Sequence, residues 1–170
     1  KGGTVVDGSG LPKRVADVGI KDGMITDIGR LSGATCTIDA DGLVVMPGIV
    51  DAHTHYDPQL TFEPFGTSSC FHGVTSVVGG NCGYSIAPCA PKDREWITAF
   101  FAKVEGMTPS VLEKGLPWDW ESFPQLMSVL DKRLGINAAV YIGHSAMRRF
   151  VMGEAASDRE ATADEIEKMR

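Results

Sequence analysis

The chain has 170 residues, of which 43% are hydrophobic and 22% are charged, so it is long and apolar enough to form a globular protein with a sizeable core. Its formal net charge of -6 argues against a nucleic-acid or anionic-membrane partner. No apolar run approaches the roughly 20 residues that a membrane-spanning helix needs, and the four cysteines lack the spacing of a disulfide framework or a zinc finger. We therefore expect an intracellular, cytoplasmic protein with reduced cysteines.

Residues 1–46 have the pattern of short strands joined by turns. Residues 16–20 alternate as a strand does, and Asp22-Gly23 follows with the dipeptide that tolerates the positive φ angles of a tight hairpin turn. Residues 24–29 then form the returning strand, and residues 35–45 are predicted to add another strand-turn-strand. The pattern indicates a small all-β unit.

The most informative stretch, Val44–Tyr56, reads VVMPGIVDAHTHY. An apolar run and a Pro-Gly kink lead into a second extended segment. Because side chains alternate along a strand, His53 and His55 are expected to share one face while Thr54 points away. Two imidazoles at a strand's end can bind one divalent metal ion, although such histidines can also serve only to hydrogen-bond to loops.

Strands and helices alternate through the rest of the chain. Residues 57–64 are predicted to be a loop, because Pro58 and Pro64 oppose regular helix. A short helix that ends at Gly73 comes next. Further strands are predicted over residues 74–78 and 136–142, and further helices over residues 92–106, from residue 108, and over residues 123–134. This order is typical of a parallel β/α barrel.

Polar residues follow the second and third of these strands. The sequence GGNCG comes directly after the second strand, and Cys82 within it is either a thiolate ligand or a small buried hydrophobic residue. Cys36, Cys70 and Cys89 have no such neighbours and are expected to be packing residues. The third strand ends in GHSAMR, where His144 and Arg148 can contact a metal ligand or a substrate carboxylate, or can make only structural hydrogen bonds.

The motifs PGIVDAHTHYD, GNCG and GHSAMR resemble those of the amidohydrolase superfamily, in its D-aminoacylase (N-acyl-D-amino-acid deacylase) branch, and the resemblance covers essentially the whole chain. It implies an α/β fold in which residues 47–170 are the first part of a metal-dependent (β/α)8 barrel and residues 1–46 belong to a small β-sandwich. It also implies one or two zinc ions, with His53, His55 and Cys82 as ligands. Asp57, His144 and Arg148 are then candidates for contacts with a metal ligand or the substrate.

The resemblance further implies a zinc-dependent hydrolase of N-acyl-D-amino acids that releases a carboxylate and a D-amino acid. The family's general-base Asp and two further histidines have no counterpart before Arg170, so we expect an N-terminal piece that is inactive alone and binds zinc weakly. Three alternatives stay open. One is hydrolysis of cyclic amides such as hydantoins and dihydropyrimidines, against which the NCG triplet argues. A second is a catalytically incomplete fragment or scaffold. A third is a metal-binding module without catalysis, against which the alternation of strands and helices argues.

Overall fold

The computed structural model describes residues 1–170, which divide into two units, Lys1–Gly48 and Ile49–Arg170. The first unit is a four-stranded sheet in the order β3-β2-β1-β4. Its strands are β1 (Gly3–Val5), β2 (Arg14–Lys21), β3 (Met24–Gly29) and β4 (Val44–Val45). β2 pairs antiparallel with both β1 and β3, whereas β4 runs parallel to β1.

The turn between β2 and β3 has the predicted conformation, because Asp22 and Gly23 both have positive φ angles, of 52° and 76°. The strand predicted over residues 35–40 is wrong. That segment makes isolated hydrogen bonds with Lys1 in place of a ladder: the Lys1 amino group donates to the Ile38 carbonyl, and the Ala40 N–H donates to the Lys1 carbonyl.

The second unit contains a parallel sheet in the order β5-β6-β7. Its strands are β5 (Ile49–Asp51), β6 (Val74–Gly79) and β7 (Asn137–Val140). Because the strands are parallel, the residues that follow each of them meet at one edge of the sheet. This edge therefore brings together the segments that begin after Asp51, Gly79 and Val140.

Helices occupy most of the remaining chain of this unit. They are α1 (Gln59–Phe62), α2 (Arg94–Val104), α3 (Pro109–Gly115), α4 (Phe123–Asp131), α5 (His144–Met152) and α6 (Ala163–Met169), with 3-10 turns at Ser69–His72, Asn81–Gly83, Pro91–Asp93 and Gly153–Ser157. The loop predicted over residues 57–64 is wrong in part, because α1 lies within it. Pro58 precedes the first helical residue, where a missing N–H costs no hydrogen bond, and the helix ends before Pro64.

The core of the second unit is formed by one side of α2 and α4 packed with residues of β6 and the loops. Ile97 and Phe101 of α2 and Leu126 and Leu130 of α4 are almost fully buried, as the helical spacing predicts. Val104, the last residue of α2, is 41% exposed. None of the helices combines the length and the apolar character that crossing a bilayer requires. The predicted α/β class is confirmed.

Candidate metal centre

The H-x-H segment begins two residues beyond β5, which ends earlier than predicted. At that end, the Asp51 side chain accepts a hydrogen bond from the His53 N–H at 3.2 Å. Thr54 is 5% exposed, and its N–H and its hydroxyl both donate to the Val78 carbonyl at 2.9 Å. His53 is exposed and His55 is half-buried. Thr54 therefore points inward while its two neighbours face the sheet edge, as the alternation predicts.

Asn81 connects the NCG triplet to the same acceptor, the Val78 carbonyl. Its side-chain amide donates to the Val78 carbonyl at 2.7 Å and to the Thr54 carbonyl at 3.3 Å. Thr54 of the H-x-H segment, through its N–H and hydroxyl, and Asn81 of the NCG triplet, through its side chain, thus donate to one acceptor at the end of β6. This contact holds the two segments at a fixed separation.

Cys82 has an unusual backbone conformation. Its φ and ψ angles are 55° and 16°, in the left-handed region, and Gly80 and Gly83 beside it have φ angles of 71° and 79°. A non-glycine residue in this region carries a strain on the order of 1 kcal/mol and persists only where its surroundings hold it there. The tight turn exposes Cys82 and places its Sγ 3.2 Å from His53 Nε2.

Two imidazoles and one thiol converge at this edge. His53 Nε2 and His55 Nε2 are 3.4 Å apart, and the nearest ligand atoms of His53, His55 and Cys82 all lie within 4.8 Å of one another. Tetrahedral ligands at the usual Zn–N and Zn–S bond lengths are about 3.3 to 3.6 Å apart. The nitrogen and sulfur donor set and its spacing therefore fit a zinc ion.

The free nitrogen of one imidazole has a carboxylate partner that the sequence did not indicate. His55 Nδ1 lies 2.8 Å from Glu105 Oε1. Glu105 follows α2 directly, and its N–H donates to the Phe101 carbonyl at 2.9 Å. The two residues are 50 positions apart in the sequence, and an acidic residue at the end of a helix is too common to mark a site.

Asp57 is buried behind the site and is not one of the converging donors. It is 3% exposed, its Oδ2 accepts a hydrogen bond from the Gly80 N–H at 2.9 Å, and its Oδ1 has no partner. Burial raises the pKa of this carboxyl to about 6; the Gly80 hydrogen bond and His55 oppose that rise, and the charge of Glu105 adds to it. The carboxylate joins the H-x-H segment to the loop that carries Cys82.

This buried carboxyl predicts how stability depends on pH. The pKa is 3.8 in the unfolded chain and about 6 in the folded one, so between these values the unfolded state loses its proton first. The free energy of unfolding should fall as pH rises through this window, by about 3 kcal/mol in total. Asp57→Asn stays neutral and can still accept from the Gly80 N–H, so it should remove that loss.

Urea unfolding of the zinc-free protein in EDTA, from pH 4 to pH 7, measures the difference between Asp57→Asn and the wild type. Asp131→Asn is the control, because Asp131 is an exposed residue at the end of α4. A wild type and an Asp57→Asn variant with the same slope of stability against pH would contradict the prediction.

The two remaining candidates lie in α5, His144 as its first residue and Arg148 near its middle. His144 is exposed and follows Gly143, whose N–H donates to the Ser85 hydroxyl at 2.9 Å, but its ring is outside the group of converging donors. One terminal nitrogen of Arg148 donates to the carbonyls of Ala156 and Arg159 at 2.8 and 2.9 Å. A role of either side chain toward substrate stays a prediction.

The other cysteines lie away from the converging donors. Cys89 is buried, as expected for a packing residue, and burial raises the pKa of its thiol to about 12. Cys70 is half-buried. Cys36 is exposed, so the expectation that it packs is wrong.

Known proteins similar to this chain include a D-aminoacylase of Alcaligenes xylosoxydans xylosoxydans, which is 38% identical over 172 residues that cover 99% of this chain and 33% of the relative. A D-hydantoinase of Ralstonia pickettii is 44% identical over 84 residues, which cover 49% of this chain and 17% of the relative. The chain therefore spans about a third of the length of the D-aminoacylase.

A solved structure with a similar fold is the N-acyl-D-glutamate deacylase from Bordetella bronchiseptica, in complex with zinc and a phosphonate inhibitor that mimics the tetrahedral intermediate of its reaction. It is 31% identical, with a TM-score of 0.76, and the match covers 99% of this chain and 33% of that one. The family model described as the amidohydrolase family matches residues 36–170. Since that match takes in β5, β6, β7 and the converging donors, the chain belongs to the amidohydrolase family.

Proposed function

We propose that this chain supplies ligands to the metal centre of a zinc-dependent hydrolase that cleaves the amide bond of N-acyl-D-amino acids. The products are a carboxylate and a D-amino acid. The observation that carries the proposal is the convergence of two imidazoles and a thiol within 4.8 Å, on a chain that is similar along nearly its whole length to a D-aminoacylase. The similar N-acyl-D-glutamate deacylase holds zinc, which supports the choice of metal.

Each of the three ligands has its own part. His53 and His55 present neutral ring nitrogens, and Cys82 presents a soft sulfur that binds as the thiolate, a combination that suits zinc. One or two zinc ions, when bound, lower the pKa of water and polarise the substrate carbonyl. Thr54 and Asn81 hold the two ligand-bearing segments to the Val78 carbonyl, so the donors need little rearrangement to bind. A cytoplasmic location suits this chemistry, because a reducing compartment keeps Cys82 free for metal.

We also propose that β5, β6 and β7 are the first three strands of a (β/α)8 barrel and that the four-stranded sheet is part of a β-sandwich. The corresponding domains are residues 1–46 and 47–170. The parallel order of the three strands supports the barrel, as does the place of the donors at the edge where those strands end. In barrel enzymes this is the edge that carries the active site.

The substrate class is tested with the natural protein that carries this sequence, loaded with zinc. A panel of N-acetyl-D-amino acids, their L enantiomers, hydantoins and dihydropyrimidines should show turnover of the N-acetyl-D-amino acids alone. The cyclic amides belong in the panel because a D-hydantoinase is similar over about half of this chain. Turnover of the cyclic amides alone would show a cyclic-amide hydrolase in place of the proposed deacylase. A protein that takes up no zinc and turns over no substrate would be a scaffold.

The isolated 170-residue chain is expected to bind zinc weakly and to show no deacylase activity. Three protein donors form an open site, and the buried Asp57 is tied to Gly80 and is not placed as a general base. Zinc titration against a chromophoric chelator and a ninhydrin assay for released amino acid measure the two properties. Robust turnover by the isolated chain would contradict this expectation.

A further inference from the structure

We propose that Glu105 is a positioning residue that fixes the ring of His55 for metal binding, an inference that rests on the proposed zinc site. Glu105 lies outside the three motifs that indicated the site. It contacts neither of the other two donors, and its only polar side-chain contact in the structure is His55 Nδ1 at 2.8 Å. Its direct contact with the site is therefore through that ring.

The contact between His55 and Glu105 is partly shielded from water. The side chains of His55 and Glu105 are only 24% and 20% exposed, so water screens the pair less than it screens an exposed ion pair. The Glu105 main chain is held to the last turn of α2 by its hydrogen bond to the Phe101 carbonyl. Phe101 is itself 1% exposed, so the main chain that carries the Glu105 carboxylate is bonded to a residue of the core.

The contact selects one tautomer of the imidazole. A carboxylate only accepts hydrogen bonds, so the neutral tautomer that fits this contact has its proton on His55 Nδ1 and a lone pair on Nε2. Nε2 is the atom that lies 3.4 Å from His53 Nε2 within the group of converging donors. In proteins a carboxylate on the far nitrogen of a metal-binding histidine also makes that ligand more basic, and its loss typically costs 10- to 100-fold in metal affinity.

Neighbouring rings limit the remaining freedom of His55. Its ring lies 5.4 Å from that of His53, at an interplanar angle of 26°, and 5.8 Å from that of Tyr84, at 57°. These rings limit sideways movement, but they do not decide which nitrogen faces the metal. Glu105 makes that choice, because a flip of the ring about its Cβ–Cγ bond would put a carbon in place of Nδ1 and break the 2.8 Å contact.

The inference is tested with Glu105→Ala and Glu105→Gln in the natural protein that carries this sequence, by cobalt and zinc titration and by nitrogen-15 spectra of the histidine rings. Glu105→Ala should weaken metal binding about 10- to 100-fold and leave the metal-free His55 ring as a mixture of tautomers. Glu105→Gln should bind with intermediate affinity and keep the wild-type tautomer, because its amide oxygen still accepts from Nδ1. Glu95→Ala is the matched control, since Glu95 is an exposed acidic residue of the same helix.

The outcomes separate this inference from the proposed function. Wild-type metal affinity together with a wild-type His55 tautomer in Glu105→Ala would overturn the role of Glu105 and leave the zinc site standing. Failure of the wild-type natural protein to bind cobalt or zinc would instead overturn the site itself. Should Glu105→Ala fail to fold by circular dichroism, Glu105→Gln decides, since unchanged affinity in a folded Glu105→Gln would also overturn the inference.

Discussion

Replacement of Cys82 by serine is expected to lower the zinc affinity of this chain by at least about 100-fold, more than the loss of a residue that only supports a ligand. Zinc deprotonates a thiol readily, but a serine hydroxyl stays protonated near neutral pH and is a poor ligand. The side chains of cysteine and serine are similar in size. Either residue at position 82 has to adopt the same left-handed backbone conformation, with φ at 55°. The substitution therefore tests the sulfur more than the fold.

Cobalt titration provides the most direct measurement. The wild type should develop the near-ultraviolet absorption of a thiolate–cobalt bond, and Cys82→Ser should not. Cys36→Ser is the matched control, because Cys36 is exposed and is not one of the converging donors. A Cys82→Ser variant with wild-type zinc affinity would remove the thiol from the site and with it the main support for the deacylase proposal.

Substitution of Gly80 by alanine is expected to destabilise the fold by more than about 3 kcal/mol, enough to prevent folding of a marginally stable chain. Gly80 has φ at 71°, and a Cβ there would overlap the carbonyl group of Tyr141. That carbonyl cannot move away freely, because the Tyr141 N–H donates to the Gly79 carbonyl at 3.0 Å and Gly79 pairs with Val140 between β6 and β7. Relief of the overlap would break this end of the sheet.

Gly73→Ala separates the overlap from the backbone strain. Gly73 has a similar φ of 84°, but no other atom would lie within 4 Å of an added Cβ. Its substitution should cost only about 1 kcal/mol, the usual penalty for a left-handed non-glycine residue. Urea unfolding followed by circular dichroism compares the two variants, and equal losses would show that the contact with Tyr141 does not matter.

The resemblance to the D-aminoacylase branch implied the three donors, and strand geometry explains why they converge. His53 and His55 alternate along an extended segment, Cys82 follows the next strand, and parallel strands end at one edge of a sheet. Glu105 could not be anticipated in this way. Its approach to His55 depends on where α2 ends relative to the sheet, and this is a property of packing that no local pattern encodes.

The boundaries of elements were predicted less well than their existence. Val44–Val45 and Ile49–Asp51 are much shorter than the apolar pattern indicated, because Pro47 and Gly48 interrupt pairing between them. α1 forms where Pro58 and Pro64 predict a loop, because a proline just before the first turn of a helix is tolerated. Strand boundaries are hard to predict because main-chain hydrogen bonds with distant segments decide where a strand ends.

The carbonyl of Val78 accepts from Thr54 twice and from Asn81 once, and this oxygen belongs to the peptide backbone. Every amino acid has a main-chain carbonyl. Substitution of residue 78 during evolution therefore keeps this hydrogen-bond acceptor, provided that the new side chain fits. Residues 54 and 81 cannot be exchanged as freely, since each needs a particular side chain to donate a hydrogen bond to that oxygen. Natural variants should accordingly tolerate aliphatic exchanges at 78 and reject most replacements at the other two.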